Sequence, residues 1–282
     1  GSEMCIRDRG HIMNFENLRA INQTHQPVVV CIDTSASMNE DAGNGITKIK
    51  MVEDLVNQLA DIPNGRLGET DKSSIDLCIL GFNNSVYTIM DWQPLINFKG
   101  DIKLSAEGCT ALSSVILESI KKVREIRKLY DQRSVDCRRA MIFVYTDGFS
   151  TEDMQAAYQK SQSYFNRDYP SPSAKLNMIF IPTYYNGQII KMTDGEKNWS
   201  EYKELVNGLG KKVLYINAED CVNGVPAAFE FMTDSIVGWS VSDPGETVYT
   251  NINDNLTAVK NCGGVRQNSD GSKTAVDEPE LI

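Results

Sequence analysis

The stretch "PVVVCID" (27–33) constrains this chain more than any other: a β-branched, unbroken apolar run that stops at an acid. A strand with one wet face alternates apolar and polar residues, whereas a continuous run belongs to a strand covered on both faces. "AMIFVYTD" (140–147) repeats the pattern, again ending in an aspartate. Between and after these runs lie segments with helical spacing. "TKIKMVEDLVNQLADI" carries Ile49, Val52, Val56 and Leu59 and is closed by Pro63, Asn64 and Gly65. "TALSSVILESIKKVREIRKLY" (110–130) carries Leu112, Ile116, Ile120 and Val123.

Further alternation is expected downstream. Helices near 151–166 and 198–208 precede the strands "LNMIFIPTY" (176–184) and "KVLYIN" (212–217). Pro226 suits the first turn of a last helix, about 225–240, packed through Phe229, Met232 and Ile236. "SIDLCILGF" (74–82) and "SVYTIM" (85–90) flank Asn83-Asn84, which predicts an antiparallel pair, because asparagine tolerates the positive φ of a tight hairpin. Strands alternating with helices imply parallel crossover units and an α/β sheet with helices on both faces.

Residues 1–12, opening Gly-Ser and leading into His-Ile-Met, read as a cloning remnant, followed by a lead-in over 13–24. The main domain is expected over 25–242. From Asp243 the chain is polar and rich in Gly, Asn and Asp, which predicts an irregular, partly disordered extension (243–282), laid on the domain through Val248 and Tyr249. A formal net charge of −10 argues against nucleic acid as a partner. No apolar run is long enough to span a bilayer, so no membrane contact is expected. The seven cysteines are widely spaced, without a C-x-x-C pair, which suits reduced thiols in the cytoplasm.

Chemistry concentrates in three places. Asp33-x-Ser35-x-Ser37 follows the first run, Thr110 opens the long helix, and Asp147 ends the run at 140. Ligands in open α/β sheets bind beyond the carboxyl ends of strands, where the winding reverses. If the runs at 27 and 140 are neighbours, all five side chains meet there. Two carboxylates and three hydroxyls suit a hard divalent cation, Mg²⁺ or Mn²⁺ in preference to Ca²⁺. Hydroxyls neutralise little charge, so such a cation would seek an anionic ligand from outside. Taken alone, the D-x-S-x-S triplet is equally a capped turn.

These motifs, with "EGCTAL" and "YTDGFS", resemble the von Willebrand factor A (vWA) domain. The resemblance implies a doubly wound, Rossmann-like sheet of six strands in the order 3-2-1-4-5-6 with one antiparallel edge strand. It also implies a metal-ion-dependent adhesion site (MIDAS) at Asp33, Ser35, Ser37, Thr110 and Asp147, completed by a partner's Asp or Glu. "VVVCIDTSASM", "EGCTALSSVILESI", "FVYTDGFSTED" and "AAFEFMTDSIVGWS" are most similar to bacterial intracellular vWA proteins of the TerY type, linked to tellurite resistance and stress. That likeness implies a non-catalytic cytoplasmic adaptor with kinase-like or phosphatase partners. Ala36, Cys109 and Ser150 stand where the family often has Gly, Gly and Pro.

Two competing functions remain open at this level: a metal-dependent phosphatase using Asp33, and a vWA subunit of an AAA+ chelatase-like machine. A serine hydrolase would need a base, and His25 precedes the first strand, at the end away from Ser35 and Ser37. Glu107 and Glu152 are expected near the site as surface acids. Lys121, Lys122, Arg124, Arg127 and Lys128 read as a solvated helix face, Trp92, Trp199 and Trp239 as packing residues, and "YYNGQIIKM" (184–192) as an exposed loop.

Overall fold

The computed structural model describes residues 23–43, 45–62, 67–165, 174–209, 213–241, 252–259, 265–267 and 273–275. The expected cloning remnant, Val248, Tyr249 and most of the extension lie outside the described residues.

The central sheet begins with β1 (Gln26–Asp33), and all eight of its residues are buried. β2 (Ile75–Phe82) is equally buried, and β3 (Val86–Pro94) returns antiparallel to it as expected, though through a three-residue link (83–85) in which neither Asn83 nor Asn84 takes the expected positive φ. β4 (Ala140–Thr146) lies parallel to β1 on its other side, and β5 (Ala174–Phe180) and β8 (Leu214–Ala218) continue the sheet. The order is β3-β2-β1-β4-β5-β8, with a seventh strand, β9 (Leu256–Val259), antiparallel on β8. The first six strands follow the expected order. The seventh comes from the region expected to be irregular and gives the sheet a second antiparallel edge. It forms because β8 offers an open edge: Ala258 pairs with Ile216, while Leu256 and Ala258 are buried.

Helices α1 (Lys48–Asn57), α3 (Leu112–Arg133), α4 (Gln155–Tyr164), α5 (Glu196–Leu209) and α6 (Gly224–Val241) cover the sheet. Two apolar cores result, one on each face. Val28, Val30 and Ile32 of β1 point into the core under α1 and α6; Val29 and Cys31 point into the core under α3, α4 and α5. Alternate residues of one apolar strand thus serve both layers, which explains why the sequence there is continuous. Pro226 sits in the first turn of α6, and Phe229, Met232 and Ile236 are buried, as the spacing predicts.

Three further features differ from expectation. A short helix, α2 (Glu69–Ser74), precedes β2, its start held by the Gly68 N–H on Asp71 Oδ2 at 3.1 Å. "YYNGQII" is a small hairpin, β6 (Thr183–Tyr185) and β7 (Gln188–Ile190), turned by Asn186 and Gly187, both at positive φ. The basic row on α3 is not wholly solvated. Arg127 is buried and donates to the Arg138 carbonyl at 3.1 Å, and Lys122 pairs with Asp91 at 2.8 Å. The arginine's apolar stem packs inward while its guanidinium satisfies a carbonyl past the helix end.

Among the described residues Cys31, Cys78, Cys109, Cys137 and Cys221 form no disulfide, and no helix is long and apolar enough to cross a membrane.

Candidate metal centre

The sheet winds in opposite directions from β1 and β4, so their shared carboxyl end is the switch point where an α/β sheet opens a crevice. Asp33 is the last residue of β1, and Asp147 follows the last residue of β4. Past β1 the chain forms a short 3₁₀ turn, Ala36–Asn39, pinned by buried Met38 and by the Ala36 N–H on the Gly108 carbonyl at 3.0 Å. That turn carries the Ser37 hydroxyl back over the strand ends.

Four of the five residues, Asp33, Ser35, Ser37 and Asp147, are linked by hydrogen-bond contacts. Asp33 Oδ1 accepts the Ser35 N–H at 2.8 Å, and its Oδ2 accepts the Thr146 hydroxyl at 2.6 Å. The Ser35 and Ser37 hydroxyl oxygens are 3.2 Å apart, and Ser37 Oγ donates to Asp147 Oδ1 at 2.7 Å. Thr110 stands beside the residue that follows Asp147. Its Oγ1 lies 3.8 Å from where a Cβ on Gly148 would stand. Its main chain is stapled to Thr151, whose N–H and hydroxyl both reach the Thr110 carbonyl, at 3.0 and 3.2 Å.

Burial dominates the electrostatics. Asp33 is fully buried, and desolvation pushes its carboxyl up from the usual 3.8 to about 6. Hydrogen bonds from Ser35 and Thr146 oppose that rise, and the nearby Asp147 adds to it. A carboxylate that costs this much to ionise in isolation is one a cation would stabilise.

Sequence reasoning missed Lys48. Its side chain is fully buried, and its ammonium pairs with the buried Asp147 Oδ2, with Glu40 at 3.0 Å and with Thr183 Oγ1 at 3.2 Å. The signal was present: Lys48 stands four residues before Val52 and eight before Val56, on the inward side of α1. The lysine leaves Asp147 Oδ1 turned toward the serines and occupies Oδ2 from below.

The donor set fits a small hard cation. Adjacent oxygens in an octahedral shell of ~2.1 Å radius lie about 3 Å apart, close to the spacings among Ser35, Ser37 and Asp147. Among the described residues no three His, Cys, Asp or Glu side chains gather as a metal-ligating group, so a metal here would depend on the hydroxyls. Of the two expected neighbouring acids, Glu107 is exposed, while Glu152 accepts from the Ser114 N–H and hydroxyl at 2.8 and 2.6 Å. His25 lies at the far end of β1, buried against Asp76 Oδ2 at 2.6 Å, and serves neither serine.

No protein-family model matches the sequence, and no curated protein matches it. Solved structures do match. The von Willebrand factor type A protein from Catenulispora acidiphila aligns over 76% of this chain and 43% of its own, with 13% identity and a TM-score of 0.52. The PilB minor pilin of Streptococcus sanguinis, as a D319A mutant, aligns over 79% of this chain and 64% of its own, with 14% identity and a TM-score of 0.48. BatB from Bacteroides thetaiotaomicron aligns over 77% and 99%, with 14% identity and a TM-score of 0.45. The chain thus spans less than half the length of the Catenulispora structure. The strand order, the two covered faces and the Catenulispora likeness together make this a doubly wound, Rossmann-like vWA fold.

Proposed function

We propose that this chain is a non-catalytic, metal-dependent interaction module that holds Mg²⁺ or Mn²⁺ through Asp33, Ser35, Ser37, Thr110 and Asp147. The observation that supports this reading is the grouping of Asp33, Ser35, Ser37 and Asp147 at the switch point of a vWA fold, with the Thr110 hydroxyl beside Gly148. Serine and threonine hydroxyls are neutral ligands, so the bound cation keeps charge to offer an aspartate or glutamate of another protein. Sequence likeness to the TerY type supports a cytoplasmic adaptor in a bacterial stress-response or tellurite-resistance complex, with kinase-like or phosphatase partners.

A phosphatase reading finds less support. Both Asp33 carboxylate oxygens accept hydrogen bonds, from Ser35 and Thr146, in a fully buried setting that a small cation can sense directly or through a water but from which the carboxylate cannot reach the phosphorus of a bulkier ester. The AAA+ subunit reading has no observation of its own.

Thermal melting in EDTA, Mg²⁺ and Mn²⁺ tests the metal. A ligand at a hundred times its dissociation constant adds about 2.7 kcal/mol. Wild type should gain stability in this way, and Ser37→Ala combined with Thr110→Ala should abolish the gain. An unchanged wild-type melting temperature in both metals refutes the reading.

A further inference from the structure

Beside the metal centre lies a cleft of about 260 Å³ between the loop after β4, α4 and α5. Its apolar floor is formed by Leu112, Phe149, Met154 and Leu205, with the Tyr158 ring as one wall. Its polar lining is Ser150 and four acids, Glu152, Asp153, Glu201 and Glu204, with no lysine or arginine among the described residues. We propose that this cleft receives a lysine or arginine side chain of the same partner segment whose carboxylate completes the metal centre. The proposal rests on the metal reading only for the position of that segment.

Size, chemistry and connection all point the same way. The volume is below the ~300–1,000 Å³ of small-molecule sites, and so suits one long side chain. Lysine and arginine lay an apolar stem along such a floor while the charged head stays at a polar rim. Among the described residues no buried cation pairs with these carboxylates. Glu152 is held by Ser114, Asp153 accepts the Gln155 N–H at 3.0 Å, and among the described residues Glu201 pairs with exposed Lys197 at 4.0 Å. Burial is the main cause that pushes the Tyr158 hydroxyl up to about 12, and the nearby Glu204 and Asp153 contribute to that rise. The aromatic ring among them adds a face on which a cation can rest.

The cleft and the metal centre are one piece of chain. Phe149 follows Asp147 by two residues, and Leu112 follows Thr110 by two. Between them Thr151 clamps the loop to the Thr110 carbonyl. A partner segment anchored by its acid therefore has the cleft within a few extended residues, at ~3.3 Å per residue. The chain's net charge of −10 favours approach of a basic segment as well.

Methyl-detected NMR of the full chain, titrated with Nα-acetyl-lysine methylamide and its norleucine counterpart, tests the cleft without metal. Lysine should shift the Met154 and Leu205 methyls saturably. Norleucine, or lysine added to Asp153→Asn/Glu204→Gln, should bind about tenfold more weakly. Equal shifts from norleucine would mean a merely apolar pocket. That outcome, the absence of shifts, or an unaffected double variant each overturns the proposal.

Acetylated peptides with one aspartate and one lysine separated by alanines then test the coupling. The best spacer should bind about tenfold tighter in Mg²⁺ than its Asp→Asn or Lys→norleucine version. Loss of Mg²⁺ and aspartate dependence with lysine dependence retained sinks the metal reading alone. Retained Mg²⁺ dependence with norleucine as good as lysine sinks the cleft alone.

Discussion

Asp33→Asn separates the charge of a buried carboxylate from its hydrogen bonds. The amide oxygen can still accept the Ser35 N–H, and the amide nitrogen faces the Thr146 hydroxyl, which can turn to accept. What the variant loses is the ability to ionise. In metal-free protein Asp33 titrates at about 6 against 3.8 when unfolded, so between those values the native state holds the extra proton. Stability from this group is therefore fully present below about 4 and is lost as pH rises through about 6.

At about 1.4 kcal/mol per pH unit, the loss comes to about 3 kcal/mol. The asparagine variant has no such loss. Urea unfolding in EDTA at pH 4 and pH 7.5, on both proteins, reads the effect as a double difference, which cancels any fixed cost of the amide. The gap should move toward the variant by about 2.4 kcal/mol across that range, since part of the loss has already occurred at pH 4. Saturating Mg²⁺ at pH 7.5 should move it back by about 2.7 kcal/mol, because only wild type retains the ionised ligand. A gap that stays flat with pH would show that Asp33 is not held in the desolvated setting described, and the argument for a cation-demanding site would fall with it.

Other perturbations follow from named contacts. Lys48→Met leaves Asp147 buried without its counter-ion and should cost about 3–5 kcal/mol in metal-free urea unfolding. Mg²⁺ should recover more stability in that variant than in wild type; an equal gain would mean that the lysine and the metal do not share Asp147. Tyr130→Phe removes the hydroxyl bonded to the buried Asp76 carboxylate, which His25 also engages, and should cost about 1–3 kcal/mol by the same assay. Gly108→Ala forces a side chain into φ +75° and against Asn84 at 2.6 Å. The backbone term alone is about 1–2 kcal/mol. Because Asn84 Oδ1 holds the Cys109 N–H at 2.9 Å, next to Thr110, the Mg²⁺ gain should shrink as well.

The buried strands were the most legible part of the chain, because a strand serving two cores has no polar position to blur its pattern. β1, β2 and β4 show this. The site was legible for a related reason: Asp33 and Asp147 end such runs, so parallel pairing of β1 and β4 alone brings them together. What escaped depends on partners distant in sequence. β9 is a strand because β8 has a free edge, and nothing in "LTAV" announces that. α2 is a polar six-residue helix without an apolar stripe. The β6–β7 hairpin differs: Asn186-Gly187 is a strong local turn signal flanked by β-formers, and it was there to be read. Lys48 lay on the apolar side of its helix, but residue type suggested solvent, and only the position of Asp147 explains its burial.

That lysine also bears on which partners the surface would accept. The two buried carboxylates, Asp33 and Asp147, would by themselves balance a divalent cation, leaving little pull on a further anion. Lys48 offsets one of them from within the core, while Glu40, nearly half exposed, is screened by water. A bound metal would then retain about one unit of unneutralised charge, matched to one incoming carboxylate. A second acid in the same segment would meet the lining of the adjacent cleft, where Glu152, Asp153, Glu201 and Glu204 repel it. Selectivity would thus arise from repulsion as much as attraction: an acid followed by a base is accepted, and an acidic run is turned away.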